Sequence, residues 1–195
     1  MKLRLHLYQT QMSLLRLKHW QTFLLIFVLP FLLRYVLTQL IEAASPTAPG
    51  MLSTLVDALP TLVPVLWLWR VGVALHSRLP ADVTVSAVYF HLGALYFALY
   101  ILILIYTLGL VRESLSDGIL PLGMLALLVP MHLFGTFCYL YVAYFLARSI
   151  ISVDKRRTVT AGEYISPFIQ VIFLPVGIWF IQPRLNKLSH QPTNT

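Results

Sequence analysis

Two side chains of opposite charge, Arg34 and Asp57, stand inside otherwise apolar stretches of this chain. Charge in such surroundings is costly and calls for a partner or a function. On helices rising about 1.5 Å per residue, each lies about 10 Å from the outer end of its own segment. The two segments are consecutive and antiparallel, so the spacing predicts an Arg34–Asp57 ion pair at matching depth. Such a pair either locks two helices together or marks a proton or substrate path. Extension of Arg34 alone to the headgroups is the competing reading.

His91, His132 and Gln170 are further polar residues within apolar stretches. The histidines fall at different depths with no carboxylate to complete a ligand set, so no metal and no cofactor is expected. Hydrogen bonding to Tyr or Gln neighbours accounts for them better. Cys138 lies in Phe134-Gly135-Thr136-Phe137-Cys138-Tyr139, where apolar surroundings disfavour the thiolate that nucleophilic catalysis needs. No Ser/His/Asp arrangement, zinc-protease helix or phosphate-binding glycine loop is present, and no catalytic residue is assigned. Aromatic side chains such as Tyr96, Tyr100, Phe134 and Tyr139, interleaved with Gly93, Ala94 and Ala98, point to close helix packing.

The elements that position these residues follow from composition. Of 195 residues, 58% are hydrophobic and 11% charged, about half the charged fraction of a soluble domain. The apolar residues form long blocks without the alternation a membrane barrel requires. The fold class is therefore an all-α membrane protein, a bundle of about five transmembrane helices with an N-terminal interfacial helix. A span needs roughly 20 apolar residues, and the blocks run over 20–41, 51–75, 86–111, 119–147 and 165–182. Residues 1–19 form a basic interfacial segment, 20–187 the helical domain, and 188–195 a disordered tail. The charges in the first twenty residues argue against a cleavable signal peptide.

Basic residues set the orientation. With the N-terminus in the cytoplasm, the inner segments hold Lys2, Arg4, Arg16, Lys18, Arg70, Arg78, Arg148, Lys155, Arg156 and Arg157. The outer ones hold only Arg112, Arg184 and Lys187, as the positive-inside rule requires. The net charge of +7 is thus explained by membrane placement, with no nucleic acid as partner. The last two outer residues conflict with the rule, because five full spans carry the C-terminal tail outside. A full fifth span is expected; a re-entrant segment kinked at Pro175 and Gly177 is the alternative.

The string Pro175-Val176-Gly177-Ile178-Trp179-Phe180-Ile181-Gln182-Pro183-Arg184-Leu185-Asn186-Lys187 resembles the ending of a group of uncharacterised bacterial multi-pass membrane proteins. In that group a Pro-x-Gly-x-Trp-x-x-Gln-Pro-x-x-Asn pattern closes the last hydrophobic segment. The resemblance covers about the last thirty residues and implies a bacterial inner (plasma) membrane, with no activity attached. Physically, Pro175 and Gly177 permit a kink, Trp179 suits an interface, and Gln182-Pro183 ends a helix whose free carbonyls Arg184 and Asn186 can cap. The expected function is a non-catalytic subunit or accessory protein of a larger membrane complex. Its partners are the lipid bilayer and, in such a complex, other membrane proteins. A small permease or transporter subunit using the Arg34/Asp57 pair is the alternative.

Overall fold

The computed structural model describes residues 16–44 and 51–190, and within them every regular element is a helix. Helix α1 spans His19–Ala44. Its start is fixed by Gln21 Oε1, which accepts from the Lys18 backbone N–H at 2.9 Å. A π-helical turn at Leu24–Val28 precedes Pro30. Proline has no N–H to offer the preceding turn, and widening that turn absorbs the mismatch.

Helix α2 (Met51–His76) carries Pro60 and Pro64 internally. Helix α3 (Ala87–Ser116) is capped by Ser86, whose hydroxyl accepts from the Tyr89 N–H. It ends at Gly118, where φ is 76°, a left-handed conformation open to glycine. Helix α4 (Leu122–Lys155) is the longest, with 34 residues, and ends at Arg156 with φ 54°. These four helices are long and apolar enough to cross a membrane.

The expected fifth span, 165–182, is not one helix. The chain forms α5 (Ala161–Ile172) and α6 (Leu174–Ser189), separated at Phe173, whose φ and ψ of −97° and 53° leave the helical region. Contacts at both ends show the chain reversing. Near the start of α5, Glu163 pairs with Lys155 and Arg157, and Thr158 N–H donates to Asp82 at 3.1 Å. Near the end of α6, Arg78 Nη1 donates to the Leu188 carbonyl at 2.7 Å. Gln182 Nε2 and Asn186 Nδ2 each donate to the Leu17 carbonyl at 2.9 Å. Leu17, Arg78, Asp82 and Lys155 all belong to one end of the bundle, here termed the proximal end. So α5 rises from it and α6 returns to it. A helical hairpin stands where a single fifth helix was expected.

The tip of this hairpin lies deep in the bundle. Tyr139 Oη donates to the carbonyls of Val171 and Ile172 at 3.0 and 3.1 Å, and Tyr139 is about 24 Å along α4 from Lys155. Broken helices at membrane depth are tolerated only where protein or water serves the freed backbone groups. Here a tyrosine hydroxyl does so. Gly177 allows the two arms to touch, since a β-carbon there would lie 1.7 Å from the Gln170 carbonyl oxygen.

Packing is uneven along the bundle. The proximal half holds a continuous core including Trp67, Leu75, Phe90, Phe145, Ile178 and Leu185. Phe90 and Phe145 stack at 4.2 Å, and Gly72 makes room for the Phe90 ring. The distal half, where α1 ends and α2 begins, has among the described residues a small cluster around Ala58, Tyr100 and Ile101. The expected tail begins inside α6, where Leu188 is buried. The interfacial segment lies outside the described residues except for its last four, and so do residues 191–195.

Candidate functional site

The loose distal half contains the charged groups. Arg34 on α1 donates through Nε to Asp57 Oδ1 on α2 at 2.8 Å, the pairing that equal depth in antiparallel helices predicts. The pair is not enclosed. Its side chains are 47% and 40% exposed, and the six consecutive residues 31–36 of α1 are all exposed. Six residues sweep more than a full helical turn, so this stretch of α1 is covered only along the face of Pro30, Leu37 and Ile41, which are buried or half-buried. The ion pair is the described polar link holding it to α2.

Asp57 also lines a cleft of about 780 Å³ between the first half of α2 and the last turns of α3. Ser53, Thr54, Tyr106, Arg112, Glu113 and Ser116 contribute its polar wall. Helix α3 continues past the expected end at residue 111 through Ser116 and presents Arg112 and Glu113 on a helical wall. Neither side chain has an ionic or hydrogen-bonding partner among the described residues.

The other polar residues occupy separate places. His91 Nδ1 lies 2.6 Å from the Ala87 carbonyl of its own helix, with its ring edge-on to Trp69 and Phe90. His132 Nδ1 is hydrogen-bonded to the Tyr100 hydroxyl, and Gly135 gives the Tyr100 ring its space. His132 also borders a shallow apolar groove with Leu104, Leu128 and Val129. Gln170 Nε2 donates to Ser166 Oγ at 3.3 Å, within its own helix. Among the described residues no three His, Cys, Asp or Glu side chains converge on a metal position.

The C-terminal motif is divided between two faces of α6. Pro175 sits at the second helical position after the break, where its missing N–H is harmless. Gly177 meets α5 as described. Trp179 packs on His19 and Phe23 of α1 at centroid distances of 4.8 and 5.9 Å. Gln182 and Asn186 share the inward face and both reach Leu17, while Pro183 and Arg184 face outward. Capping of α6 carbonyls by Arg184 and Asn186 is therefore not what forms. The C-terminal contact is instead made by Arg78 on Leu188, a residue the sequence reading counted only as a loop charge. Tyr139 was likewise read as packing alone.

Outside the apolar segments, one electrostatic cluster stands out. Hydrogen bonds from Lys155, from the Thr160 backbone and from Arg157 hold the Glu163 carboxyl well below the usual glutamate range. It serves as the start signal of α5, accepting the Thr160 N–H at 2.8 Å in a capping box. Comparison with family models, curated proteins and solved structures gives no match, so any function must be argued from this geometry.

Proposed function

We propose that this chain is a non-catalytic integral subunit or accessory protein of a larger membrane assembly. The observation that carries this reading is the outer half of α1. Residues 31–36 are all exposed, with α1 covered only along the face of Pro30, Leu37 and Ile41, and the charged pair at their centre is nearly half exposed. A helix associates in lipid through close packing and polar contacts, and intramembrane charge normally faces protein or a water-filled cavity. A partner helix laid along the α1–α2 seam supplies both. The residues beside it, Phe31, Leu33 and Tyr35, offer a broad apolar surface.

The C-terminal resemblance supports a bacterial inner membrane. Charge supports a cytoplasmic proximal end: α6 returns Arg184 and Lys187 to the side of Arg16, Lys18, Arg78 and Lys155. This removes the conflict with the positive-inside rule. In this reading four helices cross, and both described ends of the chain lie in the cytoplasm.

The test is purification in mild detergent with photo-crosslinkers at Leu33, Val36 and, as a control, Leu127 on α4. We expect one heteromeric complex of fixed stoichiometry, with Leu33 and Val36 crosslinked to the same subunit and Leu127 to none. A monodisperse protein without a partner would sink the proposal. The permease reading draws on the same cleft, since an open cleft lined by Asp57 is also one access state of a carrier. Asp57→Asn separates the two: it weakens assembly in a subunit, and abolishes coupled flux with assembly intact in a permease.

A further inference from the structure

We propose that the distal cleft between α2 and α3 binds the headgroup of a zwitterionic phospholipid bearing a primary ammonium. The inference goes beyond the subunit reading and does not depend on it: Asp57 borders both the α1–α2 seam and the cleft, but Arg112 and Glu113 take no part in the seam's ion pair.

Charge balance comes first. Along the cleft wall Arg112 stands beside the anions Asp57 and Glu113, with Glu42 and Asp117 farther out at the same end. Asp57 is already compensated by Arg34. Arg112 and Glu113 are both exposed and uncompensated by described residues. Consecutive helical residues point about 100° apart, which spreads the two charges along the cleft wall rather than letting them neutralise each other. A net anion would satisfy Arg112 and be repelled by Glu113; a net cation would meet the reverse. A ligand with separated phosphate and ammonium charges satisfies both.

Depth and shape then select a lipid. Arg112 lies about 6 Å from the end of α3 and Asp57 about 9 Å from the start of α2, the level of headgroups and upper acyl chains. Below them the wall becomes apolar at Ile105 and Leu108. At Gly109 a β-carbon would meet nothing within 4 Å, so the surface is left bare where a chain would pass. The volume, about 780 Å³, falls within the range of small-molecule sites.

Hydrogen-bonding chemistry decides the amine. A primary ammonium carries three donors, and the cleft offers acceptors in the Glu113 carboxylate and the Thr54 and Ser116 hydroxyls. A quaternary ammonium has no N–H donor and is held by aromatic cages, whereas Tyr106 is the lone aromatic among the lining residues.

The experiment uses the full chain in nanodiscs of equimolar phosphatidylethanolamine, phosphatidylcholine and phosphatidylglycerol, with retained lipids counted by native mass spectrometry. Phosphatidylethanolamine should be retained about tenfold over either competitor, the scale of one charge-assisted hydrogen bond. Glu113→Gln and Arg112→Gln should each remove that preference, while Arg184→Gln at the opposite end should leave it intact. Equal retention of the three lipids by the wild-type protein would overturn the proposal, and so would selectivity unchanged in both cleft variants. Competition by water-soluble glycerophosphoethanolamine at the same concentration as a short-chain phosphatidylethanolamine would replace a lipid with a soluble zwitterion, and equally refute the lipid assignment.

Discussion

The α-carbon of Gly177 rests against the carbonyl of Gln170, so closely that a β-carbon would fall 1.7 Å from its oxygen. The obstacle is backbone, which cannot rotate away as a side-chain tip can. Gly177→Ala should therefore separate the arms of the hairpin and cost more than about 2 kcal/mol. Thermal unfolding in detergent would report it. Gly162→Ala, where an added β-carbon meets open space, is the matched control and should change little.

Tyr139 supports the same hairpin from α4. Tyr139→Phe keeps the ring stacked on Phe97 but leaves the Val171 and Ile172 carbonyls without that donor. A loss of about 1–3 kcal/mol is expected for a buried group left unsatisfied. Hydrogen exchange should accelerate around residues 171–176 before the rest of the bundle responds.

The Arg34–Asp57 pair predicts an asymmetric pattern. Arg34→Asp places two carboxylates together, and Asp57→Arg two guanidiniums; each should weaken α1–α2 association. The double reversal should recover most of it. Recovery is read from proteolytic release of α1 in detergent, and its failure would assign the two charges independent roles.

Topology provides a fourth outcome. In a Cys138→Ala background, cysteines at Arg156 and Lys187, both exposed, should label from one face of sealed vesicles. A cysteine at exposed Asp117 should label only from the other. Labelling of positions 156 and 187 from opposite faces would contradict the hairpin.

Acid should act through Glu163. Its folded-state carboxyl titrates below the ordinary value of 4.5, chiefly because Lys155, Thr160 and Arg157 bond the charged form. A depressed carboxylate contributes stability that is complete above the unfolded value and declines as pH falls below it. The melting temperature should thus carry no Glu163-dependent change between pH 7 and about 5. Below that it should fall, and Glu163→Gln should flatten the fall.

The ion pair was legible in the sequence because two charges stand alone in apolar blocks and helical rise fixes their depth. The four helices long and apolar enough to cross a membrane were legible for the same reason: long apolar runs have few alternatives. The hairpin was not, because 165–182 reads as continuous hydropathy and the break depends on Phe173, with support from Tyr139 on a remote helix. Pro175 and Gly177 marked a kink without its angle. Gln182 and Asn186 were visible as polar residues near a helix end, yet their acceptor, Leu17, lies 165 and 169 positions away. The cleft escaped notice because Arg112 and Glu113 resemble an ordinary charged loop until α3 is seen to continue through them.

The bonds to Leu17 also impose an order on biogenesis. Its carbonyl is among the first described groups to leave the ribosome, but its donors are among the last. The lead-in to α1 must remain unlatched throughout membrane insertion of the four long helices, and closes only when α6 folds back. A chain halted at Phe173 would have its four long helices made and the Leu17 carbonyl still without these donors.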